Sequence, residues 1–143
     1  MRIGKKIENK EYYKRPGAYA IIERNQDNKI AIVTNGIGYF FLGGGLENDE
    51  TNEEALRREL IEESGYTITD IRFFDSVSTS IFNEEKGYMD IDAKIFIAKF
   101  HKKIAEPIEK DHKIIWVDPL EYKDKLFREY QRYILGKYVS ENR

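Results

Sequence analysis

The chain has 143 residues, 41% of them hydrophobic and 35% charged, with a formal net charge of −2 and no cysteine. That length suits one core-bearing domain, expected over residues 1–143, and the composition excludes a disordered chain, a disulfide framework and a zinc–thiolate site. No apolar run reaches the length of a membrane helix, MRIGKKIENK lacks the apolar stretch of a secretory signal, and no large basic face suits duplex DNA or RNA; the expected setting is the cytoplasm.

Residues 17–23 (GAYAIIE) read as a buried strand. Asp27-Asn28 is a turn, and residues 29–34 (KIAIVT) form a second strand. Asn35-Gly36 is a strong hairpin signal. Residues 37–42 (IGYFFL) are a short third strand running into a loop at Gly43-Gly44-Gly45. A helix is expected over residues 52–64: Thr51 and Glu54 make a capping box, Glu53 and Glu54 suit the positive end of the helix dipole, residues 53–63 are strong helix formers, and Gly65 supplies the left-handed stop. Residues 68–82 and 93–100 alternate as strands, with NEEKGYMD as a polar loop or hairpin tip between them. Residues 114–117 (IIWV) are a last strand, broken by Asp118-Pro119. Phe127, Tyr130 and Ile134 mark one face of a C-terminal helix, with Leu126 and Tyr133 beside them. Strands, one central helix, more strands and a terminal helix predict a mixed α/β fold with the sheet between helices.

The central helix carries the chemistry. At about 100° per residue, Glu62 lies about 60° to one side of Glu59 and Glu63 about 40° to the other. The three carboxylates share one arc, beside the apolar stripe of Leu56 and Leu60. Each like-charge pair costs roughly 0.2–0.5 kcal/mol, and Glu62 and Glu63 stand at the wrong end of the dipole. A Mg²⁺ or Mn²⁺ ion would reverse the sign of the cluster, since these are hard oxygen ligands that Mg²⁺ accepts together with phosphates. The plain alternative is a solvated, charge-laced helix. The glycines before the helix favour the ion, because their backbone can approach it closely.

Gly44, five residues, Glu50, seven residues, then Arg58-Glu59-Leu60-Ile61-Glu62-Glu63-Ser64-Gly65-Tyr66 resembles the Nudix box of the MutT-like hydrolases. Every charged position and both glycines of that pattern are present. Tyr66 departs from its final aliphatic position, and Leu42 stands before the glycines where many members carry Pro. The resemblance implies an α/β/α Nudix sandwich and hydrolysis of a nucleoside diphosphate linked to another group: a nucleoside triphosphate, a dinucleoside polyphosphate, ADP-ribose or a nucleotide sugar. It implies Glu59 and Glu63 as principal metal ligands, Glu62 as ligand or water-orienting base, and the Gly44 carbonyl as a further ligand. Arg58 would fix the loop to the helix through Glu50 or Glu62. Glu47 is a neighbour or simply solvated.

Family members often add an acid outside the box, and Glu109 in PIEKDHKIIWV is preferred here over Asp111, Glu84, Glu85, Asp90 and Asp92. His112 is a lone histidine in a charged loop, of the kind that is usually just solvated. For substrate binding, Arg15 before the first strand could reach a phosphate or base, and Phe82 lies where the family's substrate hints fall, without the Tyr or Pro that would name a substrate. Tyr19, Tyr39, Phe40 and Tyr88 are further candidates for a base platform. The implied partner is a small nucleotide, with no membrane or duplex, and a homodimer is compatible with the family. A nucleotide-sensing Nudix-like module without turnover is the alternative. The complete carboxylate set favours the enzyme.

Overall fold

The computed structural model describes residues 1–4, 6–7, 10–108 and 110–141. The elements are β1 (Arg2–Ile3), β2 (Tyr13–Glu23), β3 (Ile30–Thr34), β4 (Tyr39–Phe40), β5 (Leu42–Gly45), α1 (Asn52–Ser64), β6 (Tyr66–Asn83), β7 (Gly87–Lys103), β8 (Lys113–Val117), α2 (Pro119–Tyr122) and α3 (Glu129–Glu141). The strands form one mixed sheet in the order β1-β6-β7-β2-β3-β4, with β5 also on β2 and β8 on β3. Among the described residues no helix is long and apolar enough to cross a membrane.

Strand β2 is the pivot. It runs parallel to β7 from Tyr13↔Met89 to Ile22↔Ala98. Its other edge pairs with β5 over Gly17↔Gly45 to Ala20↔Leu42, and only its last residues pair with β3. Side chains alternate between the two faces of a strand, and β2 sorts its residues that way. Ile21 joins a core with Ile30, Ile32, Ile95, Leu126 and Ile134 beneath α3. Ala18, Ala20 and Ile22 join Leu42, Leu56 and Leu60 beneath α1 on the opposite face. The two helices therefore cover opposite faces of the sheet, as the sequence pattern predicts.

Helix α1 has the predicted limits. Thr51 accepts from the Glu54 amide and Glu54 from the Thr51 amide. Gly65 stops the helix at φ 80°, and its amide donates to Ile61 O at 2.8 Å. The segment after β7 then covers the helix end: Ile104 N donates to Gly65 O and Ile108 N to Glu62 O, both at 2.8 Å. Tyr66 stacks on Phe100 at 4.7 Å between centroids, so an aromatic serves where the box has an aliphatic residue.

Three expectations are corrected. The third strand is two short ones, because the Phe41 amide turns to Gln131 Oε1 (2.9 Å) instead of the ladder. The three glycines lie in strand β5, not in a loop. Gly43 there adopts φ 132°, and a Cβ on it would stand 2.2 Å from Ala18 O. Phe127 is not part of the terminal helix. Its amide donates to Tyr39 O, its ring meets Phe40 and Gly38, and α3 begins at Glu129. The strands at residues 66–83 and 87–103 are also longer than expected and form one hairpin, turned at Asn83 and Gly87.

Candidate active site

The last turns of α1 bring Glu59 and Glu63 against β5. Arg58 is the hub. Its Nε donates to Glu50 Oε2 at 2.7 Å and its Nη2 to Glu50 Oε1 at 2.9 Å, a two-pronged pair of the strong kind. Nη2 also reaches Gly45 O at 3.0 Å. Nη1 donates to Glu59 Oε1 and to Glu62 Oε2, both at 3.0 Å, and passes Glu47 at 3.5 Å. One guanidinium thus ties the loop before the helix, the end of β5 and two box carboxylates together. It pairs with both of its expected partners, Glu50 and Glu62, whereas Glu54 is occupied by the helix cap.

The Arg58 hydrogen bonds hold the Glu50 carboxyl down at about 2, helped by the Glu47 backbone contact. The same bonds to Glu50 raise Arg58 well above its ordinary value against the opposing effect of burial.

Glu63 is buried at 8% exposure and accepts from the Gly43 amide at 2.8 Å. Glu59 is held close to Gly44: a Cβ there would lie 2.6 Å from the Glu59 carboxyl carbon and 2.7 and 2.8 Å from its oxygens. Only glycine leaves that cradle open. Arg15 stands across from it, 3.3 Å from where a Cβ of Gly45 would be.

A cavity of about 350 Å³ opens beside Gly43, Gly44 and Glu63. Arg15, Tyr19 and Phe40 line it, as does His112. Tyr19 has its hydroxyl pKa raised by burial, with the charges of Glu59 and Glu63 adding to the effect. A larger depression of about 600 Å³ lies at the β2–β3 turn and α2, away from the box residues.

Other expected residues fall elsewhere. Phe82 is 59% exposed, packs on Tyr88 at 5.0 Å and does not line the cavity. Tyr39 packs on Tyr122. Asp90 is paired with Arg2 and Lys6, and Asp92 with Lys94. Glu84, Glu85 and Asp111 are exposed. Glu109 lies outside the described residues. Asn35, Asn83, Lys86, Arg128 and Gln131 line the cavity without having stood out in the sequence. The two asparagines read there as turn residues, and nothing local signals that distant turns meet at one cavity.

Glu59, Glu62 and Glu63 offer a wholly hard-oxygen donor set, which fits a divalent cation such as Mg²⁺ or Mn²⁺. The cradle at Gly44 leaves backbone and carboxylate in contact, which also fits. Among the described residues no three acidic or histidine side chains are already gathered as a metal nest. Arg58 and the Gly43 amide hold these carboxylates instead, and an ion would compete for those oxygens.

Solved structures share the fold. A NUDIX hydrolase from Nitrosomonas europaea superposes with a TM-score of 0.71 at 18% identity, covering 91% of each chain. The MutT protein from Bacillus halodurans gives 0.70 at 19% identity, over 85% of this chain and 80% of that one. The E. coli ORF135 protein gives 0.64 at 25% identity, over 90% and 91%. No curated protein matched by sequence. A family model of the NUDIX domain covers residues 13–137, most of the chain, which therefore belongs to the Nudix family and is a hydrolase of phosphoric anhydride bonds.

Proposed function

We propose that this chain is one catalytic domain that hydrolyses a small nucleoside diphosphate derivative with the help of Mg²⁺ or Mn²⁺. The supporting observation is that Glu59, Glu62 and Glu63 share one end of α1, with Glu59 and Glu63 against a glycine strand and a cavity alongside. A pyrophosphate is polyanionic and repels a nucleophile. A bound divalent cation supplies charge neutralisation and lowers the pKa of water. Glu59 and Glu63 would hold it, with the Gly44 carbonyl, and Glu62 would be a further ligand or the base that orients water. Water oxygen bonds to one phosphorus, the bridging P–O bond breaks, and two phosphate products leave. Arg58 positions rather than reacts: it locks Glu50, Glu59 and Glu62 in one frame. Arg15 lies where it could meet a substrate phosphate.

The test is phosphate release from nucleoside triphosphates (oxidised ones included), ADP-ribose, diadenosine polyphosphates and nucleotide sugars, with Mg²⁺, with Mn²⁺ and with EDTA. Turnover that requires the metal is expected. In Glu63→Gln, turnover should fall by at least about 100-fold, and the rise in melting temperature on adding Mg²⁺ should vanish. Wild-type activity in that variant would remove Glu63 from the site.

A further inference from the structure

The polar lining of the 350 Å³ cavity has an unusual bias. Asn35 Oδ1 accepts the amides of Ile37 (2.9 Å) and Gly38 (3.0 Å) in the β3–β4 turn. Asn83 Oδ1 accepts those of Glu85 (2.9 Å) and Lys86 (3.0 Å) in the β6–β7 turn. Gln131 Oε1 accepts the Phe41 amide at 2.9 Å. A backbone N–H can be met only by the amide oxygen, so these contacts fix the orientation of all three side-chain amides, with both lone pairs of the Asn35 and Asn83 oxygens used and one of the two on Gln131. Asn35 and Asn83 have only N–H groups left for a ligand, whereas on Gln131 one N–H already serves Tyr130 Oη at 3.1 Å. Arg15, Lys86 and Arg128 are donors without acceptor capacity, and among the described residues none of them is in an ion pair. Among the described residues, the side-chain acceptors left on this cavity are Glu63, His112, the tyrosine hydroxyls and the second lone pair of Gln131 Oε1, with Glu63 claimed by the proposed metal site. The remaining lining is apolar, with Phe41, Met89 and Ile91 buried.

We infer that the cavity takes the base of the nucleotide and selects bases whose edge carries carbonyl oxygens over bases that carry an exocyclic amine. A base has two apolar faces and a polar edge, which suits apolar walls with a polar rim. A rim of donors satisfies a keto oxygen. It leaves an amino group facing other donors, so that both sides lose hydrogen bonds they had in water. This rests on the pyrophosphohydrolase reading and adds to it the group that sets specificity, with Asn35 and Asn83 as specificity-determining residues.

Two substrate pairs isolate the exocyclic group: ITP against ATP, and UTP against CTP. Asn→Asp at 35 or 83 isolates the donor. Aspartate keeps the oxygen that holds the turn and replaces the N–H₂ with an anionic acceptor. In the wild type, kcat/KM should favour the keto member of each pair by about tenfold or more. Asn35→Asp and Asn83→Asp should each shrink that preference severalfold or invert it, with melting temperature unchanged. Equal or reversed preference in the wild type, or a preference that survives both substitutions, overturns the inference while hydrolysis itself leaves the pyrophosphohydrolase reading standing. Should none of the four be hydrolysed, their equilibrium binding reads the same ratio. Absence of both binding and turnover overturns the inference and its foundation together.

Discussion

At Gly44 a single hydrogen atom decides whether the site can form. A methyl group there would overlap the Glu59 carboxylate at 2.6 Å. That carboxylate is also held by Arg58, so it cannot swing aside without breaking a 3.0 Å hydrogen bond. Gly44→Ala should therefore lower kcat/KM by roughly 100-fold, the scale of a misplacement near 1 Å, while the far-ultraviolet circular dichroism spectrum stays that of the wild type. Normal turnover in that variant would show that Glu59 is not confined as described. Glu50 gives a pH prediction. Its folded pKa is about 2 against an ordinary 4.5, because Arg58 donates two hydrogen bonds to its ionised form. A depressed carboxylate stabilises the fold above its unfolded pKa, and that contribution disappears as pH falls from about 4.5 towards 2. Glu50→Gln should be less stable than wild type at pH 7, with the gap closing across that window. Urea denaturation at a series of pH values reads the effect, and a gap independent of pH would contradict it.

Helix α1 illustrates how an element is bounded by neighbours as well as by its own sequence. Its start is self-contained: the capping box satisfies two amides within four residues. Its end is shared. Gly65 must be left-handed to stop the helix, and it must also be small, since a Cβ would lie 2.0 Å from Ala105 O. Residues 104–108 use that approach to satisfy the Glu62 and Gly65 carbonyls, which steadies the turn bearing Glu62 and Glu63. Gly65→Ala thus suffers strain and a clash at once. It should cost on the order of 2 kcal/mol or more by thermal or chemical denaturation. A loss below about 0.5 kcal/mol, the size of an ordinary surface change, would mean that residues 104–108 do not bear on the helix.

Across the whole molecule, the sheet separates two cores. Leu60 belongs to the α1 side and Ile134 to the α3 side, both fully buried and in different clusters. Each change to Ala should cost roughly 2–5 kcal/mol. The double variant should lose the sum to within about 0.5 kcal/mol, as sites without shared partners do. A departure above about 1 kcal/mol would show that the sheet transmits repacking between its faces. The cavity sits where elements far apart in the chain meet: Asn35 from one turn, Asn83 and Lys86 from another, and Arg128 just before α3. Its chemistry is therefore a property of the fold as a unit.

The sequence by itself determined what depends on neighbours a few residues apart. Helix α1 could be bounded from Thr51, Glu54 and Gly65 alone, and the convergence of Glu59, Glu62 and Glu63 follows from helical geometry. The alternation of β7 was equally readable. Tertiary structure decided the rest. Glycines 43–45 have no side-chain pattern to read, and only pairing with β2 makes them a strand. Phe127 fits the helical spacing of Tyr130 and Ile134, yet its backbone is claimed by Tyr39 and its ring by Phe40. Phe82 and Tyr19 look alike as aromatic candidates, and only packing sends one to solvent and the other to the cavity. Arg58 was expected to meet Glu50 or Glu62, and the approach of β5 gave it the Gly45 carbonyl as well. Local order is set by hydrogen bonds and sterics within a turn or two, whereas a cavity and its donor bias come from contacts across the chain that no local window contains.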